Sequence, residues 1–346
     1  MNVRRPLCAS ARRIPESVQP DGGTAIRESS YRLATYANAD SVPRAGIVVD
    51  DRIVDLEQAL GARAADGRGS ARSMLAILEH WQEFDPRLQQ LARAVRAATT
   101  PGSARLLSEV RLLAPVMFPG TVFCAGANYK DHVKEMSQAL NLPEEPDPHE
   151  IGLQPWHFIK PSAPCIRETG ARIALPRYSR RVDWEAEIAL IIGRPCRDVS
   201  VAEALEYVAG LTIVNDLSAR DHLKRERVPV DSPFRFDWVS QKCFEGALPM
   251  GPWICPLNDV GDIDRLAIKL WVNGELMQDS SSANLIFSFA EQVAHLSTRV
   301  TLRPGDLIAT GTPAGCGAAR GKFLRPGDRV KIWVEGVGEL HSEFSA

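Results

Sequence analysis

A chain of 346 residues can bury a substantial core without disulfides, as one large domain or as a small domain on a larger one. Its composition is ordinary for a globular protein, at 45% hydrophobic and 24% charged, and a formal net charge of −2 argues against nucleic-acid or membrane-surface binding, which draw on basic patches. The seven cysteines are scattered without a Cys-x-x-Cys pair, and no apolar run approaches the roughly 20 residues that span a bilayer, so a reducing, cytoplasmic setting is expected.

Residues 1–30 read as a disordered extension. Arg4, Arg5, Arg12 and Arg13 give it the basic character of an organelle transit peptide, but Pro6 and Pro15 would interrupt the amphipathic helix such a peptide needs. Tyr31 to Leu60 reads as short strands separated by turns. Met74 to Ala98 has helical periodicity, with Leu75, Leu78, Trp81 and Phe84 on one stripe, and Pro86 is expected to divide it into two helices. A strand over residues 109–116 then closes a small N-terminal α/β domain, residues 31–115, joined to a catalytic domain, residues 116–346.

From Thr121 onward the pattern is mostly strands, with helices expected over residues 201–210 and 286–298. There is no regular β-α-β alternation and no Gly-x-Gly-x-x-Gly after a strand, so the fold class is α+β and not a dinucleotide fold. The pentapeptide Leu-Arg-Pro-Gly-Asp occurs at residues 302–306 and 324–328, each time before a strand, and its Pro-Gly centre suits a type II turn.

In the segment "RVDWEAEIALIIG", Glu185 and Glu187 share one face of a strand that is otherwise apolar on both sides. Two such carboxylates, roughly 6.6–7 Å apart along the chain, repel unless a positive charge sits between them, although Glu-x-Glu at a solvated strand end is the competing reading. The strand "LTIV" runs into Asn215 and Asp216, and if it lies beside the first, Asp216 completes a three-carboxylate cup. Such all-oxygen ligands favour Mg²⁺, Mn²⁺ or Ca²⁺ over Zn²⁺ and leave positions open for a chelating substrate. Asp216 alone would serve equally as a turn or cap residue.

His132 and Glu135 are three apart, hence neighbours on a helix, where a carboxylate can orient an imidazole as a base for water. A solvated helix face is the plainer alternative. Lys242 lies between Val239 and Phe244, and on sequence alone a lysine that snorkels to solvent is the better reading. The run Thr310–Gly317, with Gly311 and Thr312, offers backbone amides and a hydroxyl to an anion, and without a Lys-Ser/Thr pair it suits a carboxylate better than a nucleotide.

Five motifs in this order resemble the fumarylacetoacetate hydrolase family, in its acylpyruvase and 2-hydroxyhepta-2,4-diene-1,7-dioate isomerase-like branch. They are Asn128-Tyr129-Lys130-Asp131-His132 with Glu135; Asp183-Trp184-Glu185-Ala186-Glu187; Asn215-Asp216-Leu217-Ser218-Ala219-Arg220-Asp221; Lys242 with Pro249-Met250-Gly251-Pro252; and Thr310-Gly311-Thr312-Pro313-Ala314-Gly315. The resemblance implies a β-rich mixed-sheet roll of the C-terminal type found in that family, assembled as a homodimer. It implies Mg²⁺ or Mn²⁺, with Ca²⁺ as a stand-in in crystals, on Glu185, Glu187 and Asp216. It places a water-activating dyad, His132 and Glu135, on a mobile lid, Lys242 near the metal, and Thr312 on the substrate's carboxylate, with Tyr129 and Gly311 as further substrate contacts. Two departures point away from fumarylacetoacetate itself. Glu245 stands where many members have Asp, and His222-Leu223 replaces the glutamine that often follows Ala-Arg-Asp.

The expected reaction is hydrolysis of a carbon–carbon bond in an acylpyruvate-type 2-oxo acid. The alternative is a decarboxylase, isomerase or hydratase of an oxo-diacid from aromatic catabolism, using the same metal site. A non-catalytic metal-binding scaffold would have no need of His132 and Glu135.

Overall fold

The computed structural model describes residues 30–37, 41–61, 71–99, 104–143 and 146–346, so all but the last residue of the expected N-terminal extension lies outside it. The centre is the strand Ala186–Ile192, seven consecutive buried residues. Val208–Asn215, also buried throughout, pairs with it antiparallel on one side and Leu307–Ala309 on the other. Strands so largely apolar and buried along their whole length belong inside a structure, covered on both faces. Beyond Leu307–Ala309 the sheet continues through Val122–Ala125, the parallel neighbour, to His157–Lys160 at the edge.

On the other flank Leu248–Pro256 pairs with Val208–Asn215. Through the partners Leu33 and Ile254 it also meets Arg32–Ala37. Pro43–Val49, Arg52–Asp55 and Arg105–Leu106 extend this flank outward. A second sheet runs in the order Glu275–Ser281, Ala267–Val272, Arg329–Val334, Gly338–Ser345, Ala171–Ala174. Ala267–Val272 and Arg329–Val334 alternate buried and partly exposed residues, the mark of strands covered on one face. Trp253 Nε1 donates to the Val337 carbonyl (2.5 Å), tying the two sheets together. The whole is the β-rich α+β fold expected from the sequence, and no helix among the described residues is long and apolar enough to cross a membrane.

Both Leu-Arg-Pro-Gly-Asp segments form the expected turn. Gly305 and Gly327 sit at φ 84° and 97°, and the amides of Asp306 and Asp328 return to the carbonyls of Arg303 and Arg325. Two helices differ from expectation. The break after Met74–Glu79 falls at His80 rather than Pro86, which lies inside Trp81–Arg96. That helix buries Phe84, Leu88, Leu91, Ala92 and Val95 on one stripe, and this packing outweighs one missing amide near the N-terminal end. Residues 201–210 yield only a 3₁₀ turn, Ala204–Tyr207, because Val208 already belongs to the buried strand. Phe289–Arg299 is helical as expected, opened by a Ser288/Glu291 capping box.

Candidate active site

The register that pairs Ala186 with Asn215 and Glu187 with Val214 brings Glu185, Glu187 and Asp216 to one end of adjacent strands. Asp216 N donates to Glu185 O (2.9 Å), and Glu185 N to Asn215 Oδ1 (3.0 Å), which fixes the corner. All three carboxylates are buried, and one oxygen from each lies within 4.8 Å of the others. This is no solvated strand end. The spacing suits three oxygens around one hard cation. Burial and the neighbouring Asp216 and Glu185 push the Glu187 carboxyl well above its usual range, so a divalent ion there would relieve a real repulsion.

Three side-chain cations answer the cluster. Lys242 Nζ reaches Glu185 Oε2 (2.8 Å) and Asp216 Oδ2 (2.6 Å), so Lys242 is a buried member of the site and not the snorkelling lysine its sequence context favoured. Lys160 pairs with Asp216 Oδ1 and also donates to the carbonyls of Leu217 (3.1 Å) and Ala247 (2.7 Å). Arg220 joins Glu185 through Nη2 (2.6 Å) and Asp183 through Nε (2.9 Å), while Ser218 Oγ donates to Glu185 Oε1 (3.0 Å). Burial opposes ionisation of Glu185, but Lys242 and Arg220 outweigh it and hold that carboxyl at about 2.

The loop after Leu307–Ala309 closes over the carboxylates. Gly311 N donates to Glu187 Oε2 (2.8 Å), so this amide is spent on a carboxylate of the cluster rather than left for a substrate. Asp183 receives the amides of Gly317 (2.6 Å) and Ala318 (3.0 Å), and Trp184 Nε1 donates to Gly315 O (3.1 Å). Gln278 donates through Nε2 to Thr312 Oγ1 (2.9 Å) and Pro313 O (2.8 Å), and accepts from Ala186 N (3.0 Å). Thr312 thereby accepts from Gln278 and keeps its own hydroxyl proton for another group. Asn128 Nδ2 donates to the carbonyls of Phe287 (3.0 Å) and Thr310 (2.9 Å), pinning the approach to Tyr129 against the same loop. The Tyr129 hydroxyl is buried with no hydrogen-bond partner among the described residues, and burial together with Glu187 pushes its ionisation upward.

Helix Lys130–Leu140 carries His132 and Glu135, and packs on the short helix Gly317–Arg320. Burial, with Arg220 next in strength, lowers His132 to about 4, so its imidazole is neutral at ordinary pH. Its Nδ1 faces Cys316 Sγ at 3.9 Å. No hydrogen bond joins it to Glu135, whose Oε2 accepts from Gly315 N (2.7 Å) and whose Oε1 lies 4.0 Å from Arg320 Nε. Helical spacing made the pair neighbours; the loop amide took the carboxylate.

Lys160, Asp183, Arg220, Ser218 and Gln278 carry much of this site and were not assigned roles from the sequence. Asp183, Ser218 and Arg220 lie inside the motifs quoted above. Lys160 shared a face with Phe158 in "HFIK", a cue too short to read. Gln278 comes from the second sheet, and no local pattern announces it.

Residues 121–345 match the model of the fumarylacetoacetate (FAA) hydrolase C-terminal family. The oxaloacetate tautomerase YisK of Bacillus subtilis is 32% identical over 86% of this chain and 95% of its own length. The fumarylacetoacetate hydrolase of Exiguobacterium antarcticum superposes with a TM-score of 0.70 at 30% identity, covering 92% of this chain and all (100%) of that one. A maleylpyruvate hydrolase of Sphingobium sp. SYK-6, solved with manganese(II) and pyruvate, superposes with a TM-score of 0.67 at 26% identity, over 91% of this chain and 98% of its own.

Proposed function

The chain belongs to the fumarylacetoacetate hydrolase family, and we propose that it moves a proton between the enol and keto forms of a small 2-oxo acid, as a tautomerase or isomerase. The observation that carries this reading is a neutral His132 close to Arg220 and Lys242, with Glu135 engaged elsewhere. A single neutral imidazole suffices to take a proton from the carbon beside a 2-oxo group and to return it. Activation of water for hydrolysis would use His132 oriented by Glu135, whereas here the Glu135 carboxylate is held by the Gly315 amide.

Glu185, Glu187 and Asp216 would hold Mg²⁺ or Mn²⁺, which when bound polarises the carboxylate and 2-oxo oxygens of such an acid. Lys242 lies at the same carboxylates and stabilises negative charge developing on the oxo oxygen. Thr312 offers its hydroxyl proton to the substrate carboxylate, and the unpartnered Tyr129 phenol is free to donate to the substrate. YisK, named for tautomerisation of oxaloacetate, supports the reaction type, since this chain covers nearly all of it.

Carbon–carbon bond hydrolysis is the second reading, favoured by the likeness to the maleylpyruvate hydrolase. A screen of enolised 2-oxo acids with Mg²⁺ or Mn²⁺ separates the two. Loss of enol absorbance without release of pyruvate or CO₂ is expected. Pyruvate formed in step with that loss would establish the hydrolase, and CO₂ a decarboxylase.

A further inference from the structure

Three aromatic rings stand beside the cation-lined end of the site. Phe158 and Trp238 are stacked, with centroids 5.4 Å apart and planes 21° off parallel. Trp156 meets Trp238 edge-on at 5.4 Å and lies 6.3 Å from Phe158. Lys242 Nζ sits 5.0 Å from the Phe158 centroid while it holds Glu185 and Asp216. The rings therefore adjoin the carboxylate cup across a single ammonium group.

Two elements build this arrangement with the same polarity. On the edge strand, Phe158 and Lys160 are two apart and share a face; Lys160 ends on Asp216. On the short helix Trp238–Lys242, residues 238 and 242 are four apart and share a side. Each element has a cation at the carboxylates and an aromatic ring farther out. Trp156 extends the wall toward the surface, with 45% of its area exposed. Its ring lies on the backbone of Gly126, where an added Cβ would come within 1.9 Å, and its carbonyl accepts from Gly126 N (3.2 Å). The wall thus borders the segment that leads to Asn128 and Tyr129.

We propose that Trp156, Phe158 and Trp238 seat the distal substituent of the 2-oxo acid, and that this substituent is a flat apolar group, aryl or alkenyl, rather than a second carboxylate. The inference rests on the enol–keto reading above and adds the substrate class to it. A second carboxylate would need a cation of its own, and Lys160, Lys242 and Arg220 are each already paired with a carboxylate of the cluster. Phe158 is already stacked on Trp238 and faces Lys242, so the partly exposed Trp156 ring is the one that offers a planar group a surface to stack on.

The test uses the full chain with Mn²⁺ and compares kcat/KM for enol–keto conversion of phenylpyruvate, 2-oxobutyrate and oxaloacetate. Phenylpyruvate is expected to lead. Trp156→Ala, a change at a partly exposed ring outside the reacting groups, is expected to lower phenylpyruvate by about tenfold and 2-oxobutyrate by much less. Calorimetric binding of phenylpyruvate to the Mn²⁺ form should weaken in parallel. A preference for oxaloacetate, or equal loss on both monoacids, overturns the aromatic seat and leaves the reaction type standing. So does a changed oligomeric state with unchanged selectivity, which would make the wall a subunit contact. No turnover of any of the three acids overturns the enol–keto reading itself.

Discussion

Asp216 is gripped from two sides by ammonium groups, and the two lysines differ in what their loss should do. Lys160 is wholly buried and satisfies two backbone carbonyls besides the carboxylate. Lys160→Met should destabilise the metal-free protein by about 3 kcal/mol, because a buried charge loses a partner and two carbonyls lose a donor. Mn²⁺ should restore part of that loss in a denaturant titration; an unchanged midpoint would refute this role. Glu135→Gln should cost less than about tenfold in kcat, since Glu135 serves a loop amide and not His132. Collapse of turnover in that variant would instead favour the hydrolytic dyad. His132 must be neutral to act as a base, so the acid limb of the kcat/KM profile should fall near pH 4 rather than near 6.5. Between those two values the unfolded chain binds the more protons at this position, so stability contributed here declines as pH falls from about 6.5 to about 4. The carboxylate trio was legible in the sequence because polar residues at the end of a two-sided apolar strand need a reason. The partner of Glu135 was not, because spacing says which residues are close and not which donor wins.

At the level of elements, the long apolar strands were read correctly, and so were the two Pro-Gly turns, whose chemistry is local. Misreadings came where packing overrode local preference. Pro86 sits in the second turn of a helix held by five buried residues. Pro86→Ala should therefore raise stability by about 1 kcal/mol or more, visible as a higher denaturation midpoint, because it restores one amide and removes a clash. Gly315 has the opposite sensitivity. Its φ is 101° and an added Cβ would lie 2.0 Å from Met277 O. Gly315→Ala should displace the loop that holds Glu135 and Thr312, lowering both stability and kcat/KM. Wild-type melting with wild-type turnover would refute it.

For the molecule as a whole, the N-terminal strands continue the large sheet through Leu33 and Ile254, and Tyr31 N is held by Asp259 Oδ2 (3.0 Å). A chain beginning at residue 116 would uncover the Leu248–Pro256 edge at Ile254, and light scattering is expected to report association beyond that of the full chain. A pairing between strands so distant in sequence has no local signature, which is why composition and pattern suggested two units without indicating how they join. The charge balance around the cup bears on how the protein is made and maintained. Lys160, Lys242 and Arg220 already supply positive charge against Glu185, Asp216 and Asp183. The chain can therefore close its core before it ever encounters a metal, and an ion can come and go from a finished scaffold. Chelation should silence turnover while the circular-dichroism spectrum and the single cooperative melt persist, and returning Mn²⁺ should restore activity within the mixing time rather than on the timescale of refolding.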